Sequence, residues 1–596
     1  MTPGAPLPGA AARWWPWALG GIVALHLLTR LPHLTRLPVF LDEAMHLDWA
    51  FRTAATGQLV GHTDGGRYLP IWAYALVATR AADPLRAARL CAVASGLAAT
   101  VGLAWLGRQL GSPQAGILAA FLYVAAPFTL LYDRMALVDS LLAALLIYAL
   151  GFGVAWARTA RRPWAVALGV VVGAAGLTKL SGLLTLAIPA ALAFSSHAGH
   201  RARLRAQLAW VYGIALVLLL PLFLDRAGTG TFFSENLWVL RSGEDGASFL
   251  GRNARLAGEW LLAYLTPIGA VLVSAAAAWS LRRRERADLL LLGVAAAWCA
   301  FFVVAGGRYW FPRYILPAIP PLLLLLARRA VALGRAAAWL TAGLLAVAWF
   351  RFDAALIADP VRAPLPPVER SQYIYDWPSG YGLAEVVAAL RGAARAQPVT
   401  LLRDRSSTPL KEGLDLMLRR DGRDIATVDA PVKAGDFGGS TDGLITAGAP
   451  VLLAIDQPAD RELVLSLDGR TAVRPWMEVT KPDGIRAVAV YAVAGETPIA
   501  QGRADGGPTS PGPTSGAGWA LGAASHWDEA EAAFRRSVAE NGGTASAHNG
   551  LGVSLWLLGR RAEAIPELAE ALRLDAQDLR AGYNLAVARS AIRGGR

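Results

Sequence analysis

Two adjacent carboxylates, Asp42 and Glu43, follow the apolar run 39–41 and begin a helical pattern that continues to Thr53. A carboxylate beside a membrane face is suited to general-base catalysis or to binding a metal ion. The same acids would also stabilise the start of a helix, because they complement its dipole. The pair therefore predicts a catalytic or metal-binding carboxylate at this position, with stabilisation of the helix start as the alternative.

Five cations in short segments between apolar runs form a second set of candidates. They are Arg67, Arg134, Lys179, Arg308 and Arg313. Each cation alone is typical of an anchor that reaches lipid headgroups. Together they predict an outward-facing basic set suited to an anionic lipid phosphate.

Two further acids, Asp133 and Asp139, lie close to Arg134 in sequence. Asp139 falls at the edge of an apolar run, where a carboxylate is costly unless it is functional or strongly paired. Arg134 is its nearest partner in sequence, so both acids join the candidate substrate-binding group.

The composition of the chain indicates that transmembrane helices position these residues. Hydrophobic residues make up 55% of the 596-residue chain and charged residues only 17%, against about 25% in soluble domains. Apolar runs approach the roughly 20 residues that cross a bilayer and predict about eleven transmembrane helices, two of which could instead form a re-entrant hairpin. The runs are 14–32, 87–107, 113–131, 136–156, 164–178, 181–196, 208–224, 256–281, 288–305, 314–327 and 336–352.

Arginines fill every second gap between these runs, which is the pattern of cytoplasmic loops. Fifteen such arginines, less Glu285 and Asp288 in the same loops, account for the net charge of +13. The arginines of the predicted cytoplasmic loops thus explain the net positive charge, and we expect no nucleic-acid partner. The pattern predicts a multi-pass protein of a bacterial-type plasma membrane, with a cytoplasmic N-terminus and extracytoplasmic C-terminal domains.

Four blocks are predicted along the chain: a membrane domain (1–352), a small α/β domain (353–495), a flexible linker rich in Gly, Pro, Ser and Thr (496–517) and helical repeats (518–596). Short β-like runs at 399–402, 425–428, 451–455 and 487–493 predict the strands of the α/β domain. The repeats begin at Trp527 and Arg561. Their offset of 34 residues is the tetratricopeptide period. An ordinary pair of helical hairpins is the alternative.

Five motifs, in order, resemble glycosyltransferase family 39, the aminoarabinose-transferase and protein O-mannosyltransferase-like family of the C-type superfamily. The resemblance covers about residues 15–345. Its motifs are Asp42-Glu43, TDGGR (63–67), YDRMALVD (132–139), GLTK (176–179) and RYWFPRYILP (308–317). Gly66 stands where the family often has Lys, so the register of Arg67 differs from the family pattern.

This resemblance implies an inverting glycosyltransferase with a C-type fold that uses a polyprenyl-phosphate sugar outside the cytoplasm. Asp42 would be the general base and Glu43 an assisting or positioning group, while the basic residues would hold the phosphate leaving group. The acceptor is left open between lipid, glycan and protein. The family's use of metals is uneven, so a divalent metal is also left open.

Other functions and partners are also compatible with the sequence. A lipid or sugar transporter (a flippase) is one alternative, although the charges gather at one face and no half-to-half repeat is evident. A non-enzymatic scaffold built on the repeats is another. The repeats predict a protein partner, and the apolar runs predict contact with membrane lipids.

Overall fold

The computed structural model describes residues 9–63, 66–196, 198–225, 246–306, 310–396, 398–404, 408–419, 425–430, 451–457, 471–495, 527–541, 544–574, 584–585 and 588. The chain divides into two compact units. The first comprises Met1–Leu37 with Asp42–Arg370, and the second comprises Pro38–Leu41 with Ser371–Arg596.

The first unit is helical. Its helices are α1 (Gly9–Arg30), α2 (Leu41–Thr56), α3 (Tyr68–Val77), α4 (Pro84–Gln109), α5 (Pro113–Ala125), α6 (Pro127–Tyr132), α7 (Asp139–Thr159), α8 (Arg162–Thr178), α9 (Ala187–Ser195), α10 (Ala198–Leu224), α11 (Gly246–Arg283), α12 (Arg286–Ala305), α13 (Ile319–Leu333), α14 (Arg335–Ala358) and α15 (Pro367–Arg370). Short 3₁₀ helices occupy Ala78–Arg80, Leu180–Leu186, Pro312–Ala318 and Pro360–Arg362.

Seven of the described helices are long and apolar enough to cross a membrane. They are Pro84–Gln109, Asp139–Thr159, His200–Leu224, Leu250–Arg283, Arg286–Ala305, Pro312–Leu333 and Arg335–Ala358. Three other predicted spans correspond to the shorter apolar helices Pro113–Ala125, Arg162–Thr178 and Leu180–Ser195, and the first predicted span lies largely within α1. The prediction of a polytopic helical fold is confirmed, with three of its spans shorter than a full crossing.

Local sequence explains how these helices start and how closely they pack. Asp83 caps α4 by accepting a hydrogen bond from the backbone amide of Arg86 at 2.9 Å, and Pro84 suits the first helical position, which needs no amide donor. Where α4 crosses α5, a Cβ added to Gly107 would lie 2.2 Å from the Cα of Gly116. Small residues thus permit close backbone contact, as is common between membrane helices.

Charged residues of the predicted cytoplasmic loops also pack together. Arg328 donates from Nε to Asp288 at 2.7 Å, and Arg329 donates from Nη2 to Glu285 at 2.7 Å. Asp288 is buried. These arginines therefore bind α13 to the start of α12, in addition to any effect on topology.

The second unit contains a five-stranded mixed sheet. Its strands are β1 (Val399–Asp404), β2 (Ile425–Ala430), β3 (Val451–Gln457), β4 (Thr471–Thr480) and β5 (Ala487–Gly495), in the order β2-β1-β3-β5-β4. β1 pairs in parallel with β2 and β3, whereas β5 pairs antiparallel with β3 and β4. Helices α16 (Leu383–Ala394) and α17 (Thr408–Leu418) accompany the sheet, so the predicted α/β character is confirmed.

Strand β4 was not predicted from the sequence. Pro475 falls within it, and the pairing with β5 shifts register between Pro475 and Met477. Proline cannot donate to a sheet ladder and is therefore found at edges and bulges. The bulge interrupts the alternation by which a strand is recognised in sequence.

Three helices near the C-terminus correspond to the predicted repeats: α18 (Trp527–Asn541), α19 (Ala545–Leu557) and α20 (Arg561–Leu574). The equivalent pairs Ala530 with Ala564 and Phe534 with Leu568 are buried in one cluster. A Cβ on Gly552 would meet the Leu568 side chain at 2.6 Å. The three helices share one buried cluster, while their membership in the tetratricopeptide class stays a prediction. The predicted linker 496–517 lies outside the described residues.

Candidate active site

Asp42 lies in the first turn of α2, where its carboxylate is paired with a cation from a distant segment. Arg313 donates from Nη2 to Asp42 Oδ2 at 2.7 Å. The Arg313 side chain is 5% exposed, whereas that of Asp42 is 22% exposed. Arg313 therefore binds one carboxylate oxygen of Asp42, while part of the carboxylate side chain stays exposed.

Lys179 and Asp139 form a second ion pair. Lys179 lies between α8 and the following 3₁₀ helix, and its Nζ donates to Asp139 Oδ1 at 2.8 Å. The same Nζ lies 3.9 Å from the ring centroid of Tyr314, the residue after Arg313. The partner of Asp139 is therefore Lys179, and the sequence-based pairing of Asp139 with Arg134 is wrong.

Arg67 joins this group through charge. Its guanidinium carbon lies 5.7 Å from the centroid of the Trp49 ring on α2. Burial raises the pKa of Asp42, but the charges of Arg313, Arg67 and Lys179 outweigh it and hold this pKa below its usual range. Asp42 is therefore ionised at neutral pH.

Lys179, which lies beside Arg313 and Arg67, can change its charge near neutral pH. Burial lowers the pKa of Lys179 to about 8, against the opposing effect of the Asp139 carboxylate. Arg313 and Arg67 lower it further, because like charges disfavour protonation.

Glu43 points away from this group into a fully buried ion pair. Arg89 on α4 donates from Nε to Glu43 Oε1 at 2.8 Å and from Nη2 to Oε2 at 2.6 Å. Arg89 also donates to the carbonyls of Leu34 and Leu37, and the backbone amide of Ala136 donates to Glu43. Both side chains are 0% exposed. Of the two predicted roles for Glu43, assisting and positioning, this placement is compatible with positioning.

Asp133 and Arg134 hold other parts of the fold together. Asp133 accepts hydrogen bonds from Arg30, Tyr123 and Ser140 in a fully buried network. Arg134 donates to the carbonyls of Thr29, Arg30 and His33, so it caps the C-terminus of α1. The polar atoms of Asp133 and Arg134 are directed at α1 and its neighbours, so their described contacts are structural. A contact of these two residues with substrate stays a prediction.

The remaining predictions concern Arg308 and a metal ion. Arg308 lies outside the described residues. Within the described part of the chain, no group of three or more His, Cys, Asp or Glu side chains is placed to hold a metal ion.

Sequence reasoning missed Arg89 and Tyr314 as members of these networks. Arg89 had a visible signal, because it falls inside an apolar run, where an ionisable residue is expected to be paired. Tyr314 had none, since an aromatic residue at the start of a span is typical of membrane interfaces.

The arrangement unites one accessible carboxylate, Asp42, with the cations Arg313, Lys179 and Arg67. A carboxylate can accept a proton, and neighbouring cations can stabilise an anion that forms nearby. The site is therefore equipped for a displacement in which a proton is lost from one reactant and negative charge develops on another.

Part of the chain is similar to a known protein family. Residues 68–224 match the model of the dolichyl-phosphate-mannose-protein mannosyltransferase family. No curated protein sequence matches the chain.

Solved structures resemble the chain more extensively. ArnT from Cupriavidus metallidurans bound to undecaprenyl phosphate is 17% identical, with a TM-score of 0.51 over 80% of this chain and 98% of that one. The oligosaccharyltransferase of Archaeoglobus fulgidus is 13% identical, with a TM-score of 0.45 over 82% of this chain and 75% of that one. The first of these likenesses establishes a shared fold.

The chain is thus a multi-pass membrane protein, and the family model includes two of its five motifs, YDRMALVD and GLTK. The resemblance to glycosyltransferase family 39 is confirmed over residues 68–224 by the family model, and the fold is shared with ArnT.

Proposed function

We propose that this protein is an inverting glycosyltransferase that moves a sugar from a polyprenyl-phosphate donor to a lipid, glycan or protein acceptor. The observation that carries the proposal is the pairing of Asp42 with Arg313 at 2.7 Å, beside Lys179 and Arg67. One structural relative supports the donor class, since ArnT was solved bound to undecaprenyl phosphate.

Asp42 acts as the general base. The acceptor hydroxyl attacks the anomeric carbon of the sugar while Oδ1 of Asp42 takes the hydroxyl proton. The bond between the anomeric carbon and the phosphate oxygen breaks, and its electron pair leaves with the lipid phosphate. Attack from the face opposite the phosphate inverts the anomeric configuration.

Arg313, Lys179 and Arg67 stabilise the leaving phosphate, which gains one negative charge in this step. A fixed cation in a partly dehydrated site stabilises such a charge more than water does, since little reorganisation is needed. Asp139 positions Lys179 by accepting its hydrogen bond at 2.8 Å. Glu43 and Arg89 position the start of α2, and with it Asp42.

The site faces outside the cytoplasm in this proposal, and the C-terminal domains lie on the same side. The support is the distribution of charge, because the loops rich in arginine are those expected to stay in the cytoplasm. The transporter and scaffold alternatives predict no glycosylated product.

Transfer of radiolabelled sugar from polyprenyl-phosphate donors, measured in vesicles containing the full chain, tests the proposal. Asp42→Asn keeps the size of the side chain but removes the base, and we expect a loss of at least 100-fold. The matched control is Asp48→Asn on the same helix, whose carboxylate is paired with Arg52 at 2.7 Å. This control should retain activity.

Two outcomes would contradict the proposal. Full activity in Asp42→Asn would exclude the general-base role. Saturable movement of a lipid-linked sugar across the vesicle membrane without any transfer product would favour a transporter instead.

A further inference from the structure

His46 lies one turn after Asp42 on α2 and is tied to the backbone through one ring nitrogen. Its Nδ1 lies 3.1 Å from the carbonyl oxygen of Ala136. A carbonyl oxygen only accepts hydrogen bonds, so Nδ1 must carry the proton. Burial, together with the charge of Arg67, lowers the pKa of His46 to about 4. At neutral pH the ring is therefore uncharged, and Nε2 presents a lone pair.

This lone pair is not used within the described part of the protein. His46 is 2% exposed, and its buried Nε2 has no hydrogen-bond partner among the described residues. Buried polar atoms are nearly always paired, and the few exceptions need an explanation such as a functional role or a bound molecule. Nε2 of His46 is thus an acceptor that lacks a donor.

The position of this acceptor relates it to the reaction site. Residues four apart lie on one face of a helix, and helical side chains lean toward the N-terminus. The His46 ring therefore leans toward Asp42. It is close enough to Asp42, Arg67 and Asp139 for their charges to affect it, and its centroid lies 5.6 Å from that of Trp49.

We propose that His46 is a sugar-binding residue of this site, whose Nε2 accepts a hydrogen bond from a hydroxyl group of the donor sugar. The inference rests on the proposed glycosyl transfer and adds a residue that recognises the sugar itself. The acceptor substrate is a poorer match, because its attacking hydroxyl gives its proton to Asp42. The donor sugar carries several other hydroxyl groups, each able to donate.

Two variants separate recognition of the sugar from support of the fold. In His46→Asn the shorter amide retains a donor for the Ala136 carbonyl but has no acceptor at the position of Nε2. In His46→Gln the longer amide places an acceptor oxygen near that position. We expect His46→Asn to lose about 10- to 100-fold in kcat/KM, as for an unpaired buried group, and His46→Gln to recover most of it.

Donors that lack one hydroxyl at a time identify the partner group. With the wild-type protein, one deoxy donor should be transferred about 10- to 100-fold more slowly than the intact donor. His46→Asn should transfer that deoxy donor and the intact donor at similar rates. The inference is overturned if His46→Asn discriminates among the deoxy donors as strongly as the wild type, or if both variants lose activity equally.

Nitrogen-15 NMR of histidine-labelled full-length protein gives a readout that does not depend on turnover. The His46 signals are identified by their loss in His46→Gln. A polyprenyl-phosphate sugar should shift the Nε2 resonance, whereas the same polyprenyl phosphate without sugar should not. If the wild type transfers no sugar, the proposed function fails, and this comparison still decides the role of His46: equal shifts from both lipids, or none, would refute it.

Discussion

Removing Arg89 should destabilise the membrane domain far more than removing an exposed arginine of α2. Arg89 is fully buried and donates to both oxygens of Glu43 and to two carbonyl groups. Arg89→Met keeps much of the aliphatic volume but leaves the Glu43 charge buried with the Ala136 amide as a remaining donor. The uncompensated charge is the physical cause of the expected loss.

The size of the effect follows from this geometry. Breaking a buried ion pair by removing one partner costs about 3–5 kcal/mol. That corresponds to more than about 100-fold in the ratio of folded to unfolded protein and to a fall of roughly 5–15 °C in melting temperature. Glu43→Gln in the Arg89→Met background removes the unpaired charge. A coupling of about 0.5–3 kcal/mol should therefore be recovered.

Thermal unfolding in detergent, followed by intrinsic tryptophan fluorescence, measures both quantities. The matched control is Arg52→Met, which breaks the exposed pair between Arg52 and Asp48 on the same helix. An i,i+4 surface pair is worth only about 0.3–0.5 kcal/mol. If Arg89→Met melts no earlier than Arg52→Met, or if the second substitution recovers nothing, the buried pair does not hold α2 to α4 as argued.

Three further outcomes are expected. Because the pKa of Lys179 is lowered to about 8, Lys179 loses its charge as pH rises through 8. The KM for the donor should then rise in the wild type but not in Lys179→Arg. Equal dependence of KM on pH in the two proteins would refute a contact between Lys179 and the phosphate. A Cβ at Gly96 would lie 2.3–2.6 Å from the Asp133 carboxyl atoms, so Gly96→Ala should lower the free energy of unfolding by about 1–3 kcal/mol. The control Gly293→Ala has open space around its Cβ and should change stability little. Similar melting temperatures for the two variants would contradict close packing at Gly96. Deleting 518–596 should leave sugar transfer intact in vesicles, because the candidate site lies within residues 1–352; complete loss of transfer would show instead that the reaction requires the repeats.

The sequence predicted the helical membrane fold well because its signals are local. Apolar runs located the long spans, and short β-like runs located four of the five strands. Strand β4 was missed because Pro475 and its bulge disrupt the alternating pattern. The hydropathy pattern also predicted a full span at 113–131, where the structure has the shorter helix α5 packed against α4. Packing of this kind cannot be read from a single sequence.

The candidate site was predicted by residue type but not by pairing. Asp42, Lys179 and Arg313 were singled out because ionisable groups beside apolar runs are costly unless they are used, and the structure places these three side chains close together. Their partners are set by contacts between segments far apart in sequence. Sequence proximity therefore suggested Arg134 for Asp139, although Lys179, 40 residues away, binds it.

The scarcity of lysine in the membrane domain makes Lys179 a candidate for selective chemical labelling. Among residues 1–352 the only lysine is Lys179, and every other strongly basic side chain there is an arginine. An amine with a pKa of about 8 is unprotonated in a larger fraction of molecules at neutral pH than an ordinary lysine, whose pKa is about 10.4. Acylating reagents should therefore label the membrane domain at one side chain, inside the candidate phosphate site. A bound donor would shield that amine, so labelling could report occupancy of the site without any knowledge of the sugar or the acceptor.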